Sequence, residues 1–194
     1  MEKPWYHTVG SHIGEGWNQV IIQALKKAKY LDKFKKGEFV LDVGCAEGGL
    51  SLEMVNRGGF VIALENDPVM IERQRIVFKD TNPDAFTVIQ ADLNTYLAAQ
   101  DFKHFTFYHW CFFLNISHHL NEPIAFFEWI LKERMAKESI VVTNGFSIDT
   151  SYEQKNGRTK MSTGLVCEML KKFKFVPKVL GTYRENRELV VGER

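Results

Sequence analysis

The stretch FVLDVGCAEGGLSLEMVNRGGFVIALEND, residues Phe39–Asp67, decides how the rest of the chain is interpreted. It begins with a short apolar run, Phe39–Val43, which is too brief for a helix and rich in residues that favour strands. A glycine-containing turn follows, then an amphipathic segment, and then a second apolar run, Phe60–Leu64, which leads into Glu65. Strand, glycine turn, helix, strand and terminal acid predict a βαβ nucleotide-binding unit.

The residue types in this unit suit two classes of cofactor, dinucleotides and S-adenosylmethionine. Glycines let the backbone approach a ligand closely, and a carboxylate after the second strand can accept hydrogen bonds from both ribose hydroxyls. A dinucleotide site favours G-x-G-x-x-G, because a pyrophosphate must sit against the helix N-terminus. Counted from Gly44, the middle position holds Ala46 and the last holds Gly49, so two of three glycines match. The dinucleotide interpretation is therefore the less favoured.

The segment Asp42–Gly48, DVGCAEG, resembles the first motif of the class I (Rossmann-like) S-adenosylmethionine-dependent methyltransferases, with Ala46 in place of the middle glycine. The resemblance implies that Glu65 binds the ribose and Asp92 the adenine amino group, although Asp92 also suits the N-cap of a helix. It implies S-adenosyl-L-methionine as cofactor and the following cofactor-binding residues: Asp42, Gly44, Cys45, Ala46, Gly48, Glu65, Asn66, Met70, Asp92 and Leu93.

The resemblance also implies the fold class and the domain organisation. The expected fold is α/β, a three-layer, doubly wound, mostly parallel seven-stranded sheet with a C-terminal antiparallel strand pair. Residues 1–194 are expected to form a single domain, with residues 1–36 as an N-terminal lid segment and helix. Hydrophobic patterning predicts a fifth strand over Ser139–Thr143, a polar loop over Asn144–Arg158, and a helix over Pro68–Lys79 with Ile76 on or near its apolar side.

Composition narrows the function classes. The chain has 194 residues, 45% hydrophobic and 25% charged, with a formal net charge of +1, so no charge excess calls for nucleic acid or an anionic membrane. Neither a signal peptide nor an apolar run of membrane-spanning length is evident, and a cytoplasmic location is expected. Three cysteines lack metal-ligand spacing, so no metal site is expected.

Histidines are the candidates for catalysis. Ser117-His118-His119-Leu120 resembles the ending that follows the fourth strand in methyltransferases of small molecules, lipids and glycans. Histidine is the usual general base at neutral pH, so we expect His118 or His119 in that role. The other candidates are His7, His12 and His109. The residues expected to bind the acceptor are Trp5, Tyr6, His7 and His109.

The sequence thus predicts a methyltransferase acting on oxygen, or less favourably nitrogen, of a small-molecule, lipid or glycan acceptor. Two alternatives stay open. The WYH run at residues 5–7 loosely resembles wobble-uridine tRNA methyltransferase relatives, which keeps a tRNA-modifying enzyme in view. Thr106 stands near where the family has a strand-opening acid, which leaves a catalytically silent S-adenosylmethionine-binding subunit as the other alternative.

Overall fold

A computed structural model describes residues 9, 16–95, 107–148, 152–155, 158–184 and 186–194, with backbone alone for residues 152–155 and 158. The chain divides into two compact units, Met1–Ala91 and Asp92–Arg194. Every helix within the described residues is too short or too polar to span a lipid bilayer. The predicted segment of residues 1–8 and 10–15, with Trp5, Tyr6, His7 and His12, lies outside the described residues.

The first unit alternates helices and parallel strands. Its elements are α1 (Trp17–Lys27), β1 (Phe39–Val43), α2 (Gly49–Asn56), β2 (Phe60–Glu65), α3 (Pro68–Phe78) and β3 (Phe86–Gln90), with short 3-10 turns at Leu31–Lys33 and Pro83–Ala85. The three strands run parallel in the order β3-β2-β1, and Val43 pairs with Leu64, which pairs with Ile89. The carboxyl ends of the strands therefore meet at one edge, where ligands bind in open α/β sheets.

The second unit ends in an antiparallel arrangement. Its elements include β4 (Tyr108–Phe113), a 3-10 turn (Ser117–His119), α4 (Pro123–Glu133), β5 (Met135–Phe146), β6 (Tyr152–Lys155), β7 (Arg158–Met161), α5 (Thr163–Lys172), β8 (Val176–Arg184) and β9 (Arg187–Glu193). Strands β4 and β5 are parallel, while β9 is antiparallel to both β5 and β8. Strands β6 and β7 form a separate hairpin.

Seven strands belong to one mixed sheet, to which the first unit contributes β3-β2-β1 and the second contributes β4-β5-β9-β8. The apolar residues of the central strands are buried: Val40, Leu41 and Val43 in β1 and Val141 and Val142 in β5 are each at most 2% exposed. Strands buried on both faces contain near-continuous apolar runs, as in Phe39–Leu41 of β1 and Ile140–Val142 of β5. The expected α/β fold class, a mostly parallel seven-stranded sheet with a C-terminal antiparallel pair, is confirmed.

Two local predictions are wrong. The fifth strand is longer than Ser139–Thr143, and part of the expected loop Asn144–Arg158 is the end of β5 and the strand β6. Strand β9 pairs with β5 as far as Phe146, which extends β5 through polar residues that a local pattern assigns to a loop. In α3, Ile76 is 46% exposed, whereas Arg73 and Gln74 are buried. The helix α3 thus buries polar side chains, which contact the glycine turn after β1.

Candidate functional site

The glycine turn after β1 contains three residues in the left-handed region. They are Gly44 with φ 69°, Ala46 with φ 48° and Gly48 with φ 78°. A Cβ at Gly48 would lie 2.8 Å from Phe78 Cε2, so this position excludes a side chain on two grounds. Ala46 adopts its conformation despite having a Cβ, which costs free energy and needs support from the surrounding structure.

That support comes from hydrogen bonds on both sides of the Ala46 residue. Its N–H donates to Glu65 Oε2 at 2.8 Å, and its carbonyl accepts a hydrogen bond from Gln74 Nε2. The same Gln74 Nε2 lies 3.1 Å from Cys45 Sγ, and Gln74 is fully buried. Gln74 is therefore buried because it holds the turn, and this explains both the polar face of α3 and the tolerance of alanine at the middle position of the motif.

The Glu65 carboxylate at the end of β2 accepts three backbone hydrogen bonds. Besides the Ala46 N–H, the N–H groups of Asn66 and Asp67 donate to Oε1 at 2.8 and 2.9 Å. A carboxylate offers about four acceptor positions, so Oε2 keeps capacity for one further donor. A half-buried acid fixed by backbone N–H groups with one acceptor position left fits a ribose hydroxyl, which is the role that the sequence predicts.

Asp42 lies beneath α2. Its side chain is 4% exposed and accepts a hydrogen bond from Ser51 Oγ at 2.7 Å. Burial raises the pKa of Asp42 to about 7, the Ser51 hydrogen bond opposes this rise, and the negative charge of Glu65 adds to it. Asp42 thus connects β1 to α2, and a direct contact with cofactor stays a prediction.

A buried ion pair supports the same turn. Arg73 Nη1 lies 3.0 Å from Glu47 Oε1, with side chains 6% and 0% exposed. Desolvating two charges is costly unless both are paired, so the pair fixes the turn against α3.

Burial also raises the pKa of the Cys45 thiol well above its usual value, helped by the charges of Asp42 and Glu65, which keeps this thiol protonated. Glu47, Ser51, Arg73 and Gln74 were missed in the sequence interpretation, although Gln74 shares a helical face with Ile71 and Phe78.

The remaining cofactor predictions fall on residues of different exposure. Asn66 is exposed and Met70 is half-buried at the start of α3. In the second unit, Asp92 is exposed, its Oδ1 accepts the Asn94 N–H at 3.0 Å, and residues 93–95 are helical. Asp92 is therefore an N-cap, as the alternative interpretation had it. Leu93 is 8% exposed.

The histidine turn in the second unit is tied to Asn94. Asn94 Oδ1 accepts the Asn121 N–H at 2.7 Å, and its Nδ2 lies 3.4 Å from the His119 carbonyl oxygen. His118 is half-buried and His119 exposed, with ring centroids 4.1 Å apart, and the His118 ring meets the Phe146 ring edge-on at 6.3 Å. The expected substrate-binding residue His109 is half-buried within β4.

A polar cluster adjoins this turn and was not predicted from the sequence. Asn115, with φ 57°, donates its N–H to Asn144 Oδ1 at 2.7 Å. Its Oδ1 accepts from Tyr183 Oη and Arg187 Nη1, each at 2.6 Å. We call Asn115, Asn144, Phe146, Tyr183 and Arg187 the Asn115 cluster. Within the described residues, no group of three or more His, Cys, Asp or Glu side chains is arranged to hold a metal.

Comparison with known proteins agrees with the fold. The family described as "Methyltransferase domain" matches residues 40–132. Two curated relatives, from two strains of Methanococcus maripaludis, are each named probable cobalt-precorrin-6B C(15)-methyltransferase (decarboxylating). Each is 23% identical over 117 residues, 60% of this chain, and the match spans 61% of the relative's length.

Solved structures of low identity share the fold. Magnesium protoporphyrin IX methyltransferase from Synechocystis PCC 6803, with bound S-adenosylmethionine, aligns with a TM-score of 0.64 at 15% identity, covering 98% of this chain and 89% of that one. The 1,6-didemethyltoxoflavin-N1-methyltransferase of Burkholderia thailandensis, with bound S-adenosylhomocysteine, has a TM-score of 0.63 at 9% identity, covering 93% and 79%. Residues 40–132 thus match the methyltransferase domain family, and the chain shares its fold with S-adenosylmethionine-dependent methyltransferases of known structure.

Proposed function

We propose that this chain binds S-adenosyl-L-methionine and transfers its methyl group to an oxygen, less favourably a nitrogen, of a small-molecule, lipid or glycan acceptor. The observation that carries the proposal is the Glu65 carboxylate, fixed by the N–H groups of Ala46, Asn66 and Asp67 beside the glycine turn. Its remaining acceptor position lies at the carboxyl edge of β1 and β2, where the family places the ribose. The family match over residues 40–132 supports this assignment.

The chain's own contribution to the reaction is positioning and proton removal. Bound S-adenosylmethionine supplies an electrophilic methyl group on a sulfonium sulfur. The glycine turn and Glu65 orient the adenosyl part, with the exposed Asp92 as the proposed adenine partner. Holding an acceptor in line with the methyl group lowers the barrier through orientation. We propose that His118 or His119 removes the acceptor proton, because imidazole suits that role near neutral pH.

Two features support the proposed class of acceptor. The solved structures named above include methyltransferases of small molecules, magnesium protoporphyrin IX and 1,6-didemethyltoxoflavin. A net charge of +1 gives little general attraction to a nucleic acid, which argues against tRNA. The described cysteines Cys45, Cys111 and Cys167 form no disulfide with one another, which fits the proposed cytoplasmic setting.

Transfer of labelled methyl groups tests this function. The purified chain is incubated with methyl-labelled S-adenosylmethionine and cell extract, and the extract is separated into RNA, lipid and small-molecule fractions before scintillation counting. We expect label in the small-molecule or lipid fraction. Label in RNA would support the tRNA alternative. Cofactor binding without any labelled fraction would favour the catalytically silent subunit. Because the curated relatives are named as carbon methyltransferases, labelled products are also tested for release of the methyl group by base.

Histidine variants test the proposed base. Replacement of His118 and His119 by Gln, singly and together, should lower turnover about 100-fold or more for the residue that acts as base. Binding of S-adenosylhomocysteine should stay unchanged, since the reacting proton belongs to the acceptor. His109→Gln is made in parallel, because His109 is the other candidate base among the described residues. If turnover stayed unchanged in the double variant of His118 and His119 while S-adenosylhomocysteine still bound, the assignment to the histidine turn would be wrong.

A further inference from the structure

Arg187, the first residue of β9, is a half-buried cation without an acidic partner among the described residues. Its Nη1 donates to Asn115 Oδ1 at 2.6 Å, and its Cζ lies 5.2 Å from the centre of the Phe146 ring. The register pairs Phe146 with Arg187 and Gly145 with Glu188, so the neighbouring acid points to the opposite face. There Glu188 Oε2 accepts a hydrogen bond from Thr163 Oγ1 at 2.7 Å.

Asn144 provides a second donor that has no acceptor within the part of the chain that the structure describes. Its side chain is 3% exposed, and its Oδ1 accepts the Asn115 N–H at 2.7 Å. That bond fixes which end of the amide is oxygen, because only the oxygen can accept from a backbone N–H. The Nδ2 group is consequently a buried donor for which the described residues offer no acceptor. Such groups are rare in folded proteins, since leaving a buried donor unpaired is costly.

Asn115 connects these two donors. Its backbone N–H binds Asn144, and its side-chain oxygen binds Arg187 and the Tyr183 hydroxyl. Burial raises the pKa of Tyr183 to about 12, so its hydroxyl stays protonated and donates to Asn115. Asn115 follows the carboxyl end of β4, Asn144 lies at the carboxyl end of β5, and Tyr183 and Arg187 belong to the strands β8 and β9. The carboxyl ends of the parallel strands form the ligand edge of an open α/β sheet.

The surroundings favour an anion attached to an apolar body. The Phe146 ring is contacted by Arg187 and also by Lys160, whose Nζ lies 5.4 Å from the ring centre. The His118 ring lies nearly perpendicular to the same ring, with an interplanar angle of 85°. A planar guanidinium with N–H groups to spare matches the oxygens of a carboxylate or a phosphate. An oxyanion placed here would pair with the charge of Arg187 and satisfy Asn144 Nδ2 together.

We propose that Arg187 and Asn144 form an oxyanion-binding subsite that recognises a carboxylate or phosphate group of the methyl acceptor, with the adjoining apolar part of the acceptor against Phe146. This inference rests on the proposed methyl-transfer function and specifies its acceptor as an anion. Asn115 acts as a positioning residue, because it orients both donors.

Three probes of similar size test the subsite: benzoate, phenyl phosphate and neutral benzamide. Each is titrated by NMR into the full chain saturated with S-adenosylhomocysteine. We expect benzoate, phenyl phosphate or both to bind at least about tenfold tighter than benzamide, since hydrogen bonds to charged groups are worth that much. Comparing the first two probes shows which oxyanion the subsite prefers. Arg187→Gln should abolish the preference, Arg187→Lys should retain part of it, and Asn144→Leu should reduce it.

Lys178→Gln is the matched control, because it removes one positive charge from an exposed position of the neighbouring strand β8. Thermal unfolding of each variant establishes that it is folded. Equal binding of all three probes, or Arg187→Gln and Lys178→Gln having the same effect, would overturn the proposal. The titrations are repeated without S-adenosylhomocysteine. If S-adenosylhomocysteine failed to bind while the chain still preferred the anionic probes to benzamide, the methyl-transfer proposal would fail and the oxyanion subsite would stand.

Discussion

The glycine turn of the first unit and the Asn115 cluster of the second both stabilise a strained backbone by hydrogen bonds. The partners in these hydrogen bonds lie at different distances along the chain. Each region centres on a non-glycine residue in the left-handed region, Ala46 with φ 48° and Asn115 with φ 57°. The partners of Ala46 lie 19 and 28 residues away, within one βαβ unit. The side chain of Asn115 binds residues 68 and 72 positions away. Local partners leave a recognisable motif, and remote ones do not.

The two regions also differ in how they treat charge. The turn neutralises its buried cation internally, since Arg73 pairs with Glu47. The cluster leaves Arg187 without an acidic partner among the described residues and binds it to a neutral amide. A neutralised pair suits a structural support, whereas an unneutralised cation suits a ligand.

The largest expected effect is on the buried pair in the turn. Glu47→Gln should lower the free energy of unfolding by about 3–5 kcal/mol, because it removes the buried negative charge that pairs with the buried Arg73. The measurement is urea denaturation. The matched control is Glu72→Gln, which breaks the exposed pair of Glu72 with Arg75, whose side chains are 62% and 71% exposed. That change should cost under about 1 kcal/mol. Equal effects of the two replacements would contradict the structural role given to the buried pair.

The pH dependence of stability tests the burial of Asp42. Its pKa is raised to about 7 in the folded chain, whereas an unfolded chain has the ordinary value of 3.8. The stability contributed by the protonated side chain is therefore complete below about pH 4 and lost as the pH rises through 7. Asp42→Asn should lack this loss. Its free energy of unfolding should therefore rise relative to that of the wild type by about 1 kcal/mol per pH unit between about pH 4 and 7, and the difference should stay constant above that range.

The control for this experiment is Asp80→Asn, at a side chain that is 86% exposed. Urea denaturation at pH values from 4 to 8 compares both variants with the wild type. A difference between wild type and Asp42→Asn that stayed constant with pH would mean that Asp42 is not buried as described.

Asn115 is expected to give a smaller loss of stability. Asn115→Ala removes the acceptor used by Tyr183 and Arg187 and places a less tolerant residue at φ 57°, which should cost about 2 kcal/mol. Asn115→Asp keeps the acceptor and tolerates the same backbone conformation, so its loss of stability should be smaller than that of Asn115→Ala. If both variants unfolded at the same urea concentration, the hydrogen bonds of Asn115 would not be what holds the cluster together.

The first unit could be predicted in detail from the sequence because its determinants are local. The predicted apolar runs Phe39–Val43 and Phe60–Leu64 match β1 and β2 in the structure, with β2 one residue longer. The burial of Gln74 could not be predicted, because a polar residue on a helix reads as exposed until its partner on the turn is known. In the second unit, the extension of β5 to Phe146 depends on pairing with Arg187, 41 residues further along the chain, so no local pattern contained it.

Binding of S-adenosylhomocysteine to Glu65 variants, measured by calorimetry, tests the central claim most directly. The account predicts that the wild-type chain binds this ligand and that Glu65→Ala weakens binding by about 100-fold, as expected for loss of charged hydrogen bonds to ribose hydroxyls. Glu72→Ala, at an exposed acid on the neighbouring helix α3, should bind as the wild type does. Wild-type protein that bound no S-adenosylhomocysteine, or folded Glu65→Ala protein that bound it as tightly as Glu72→Ala, would contradict the account.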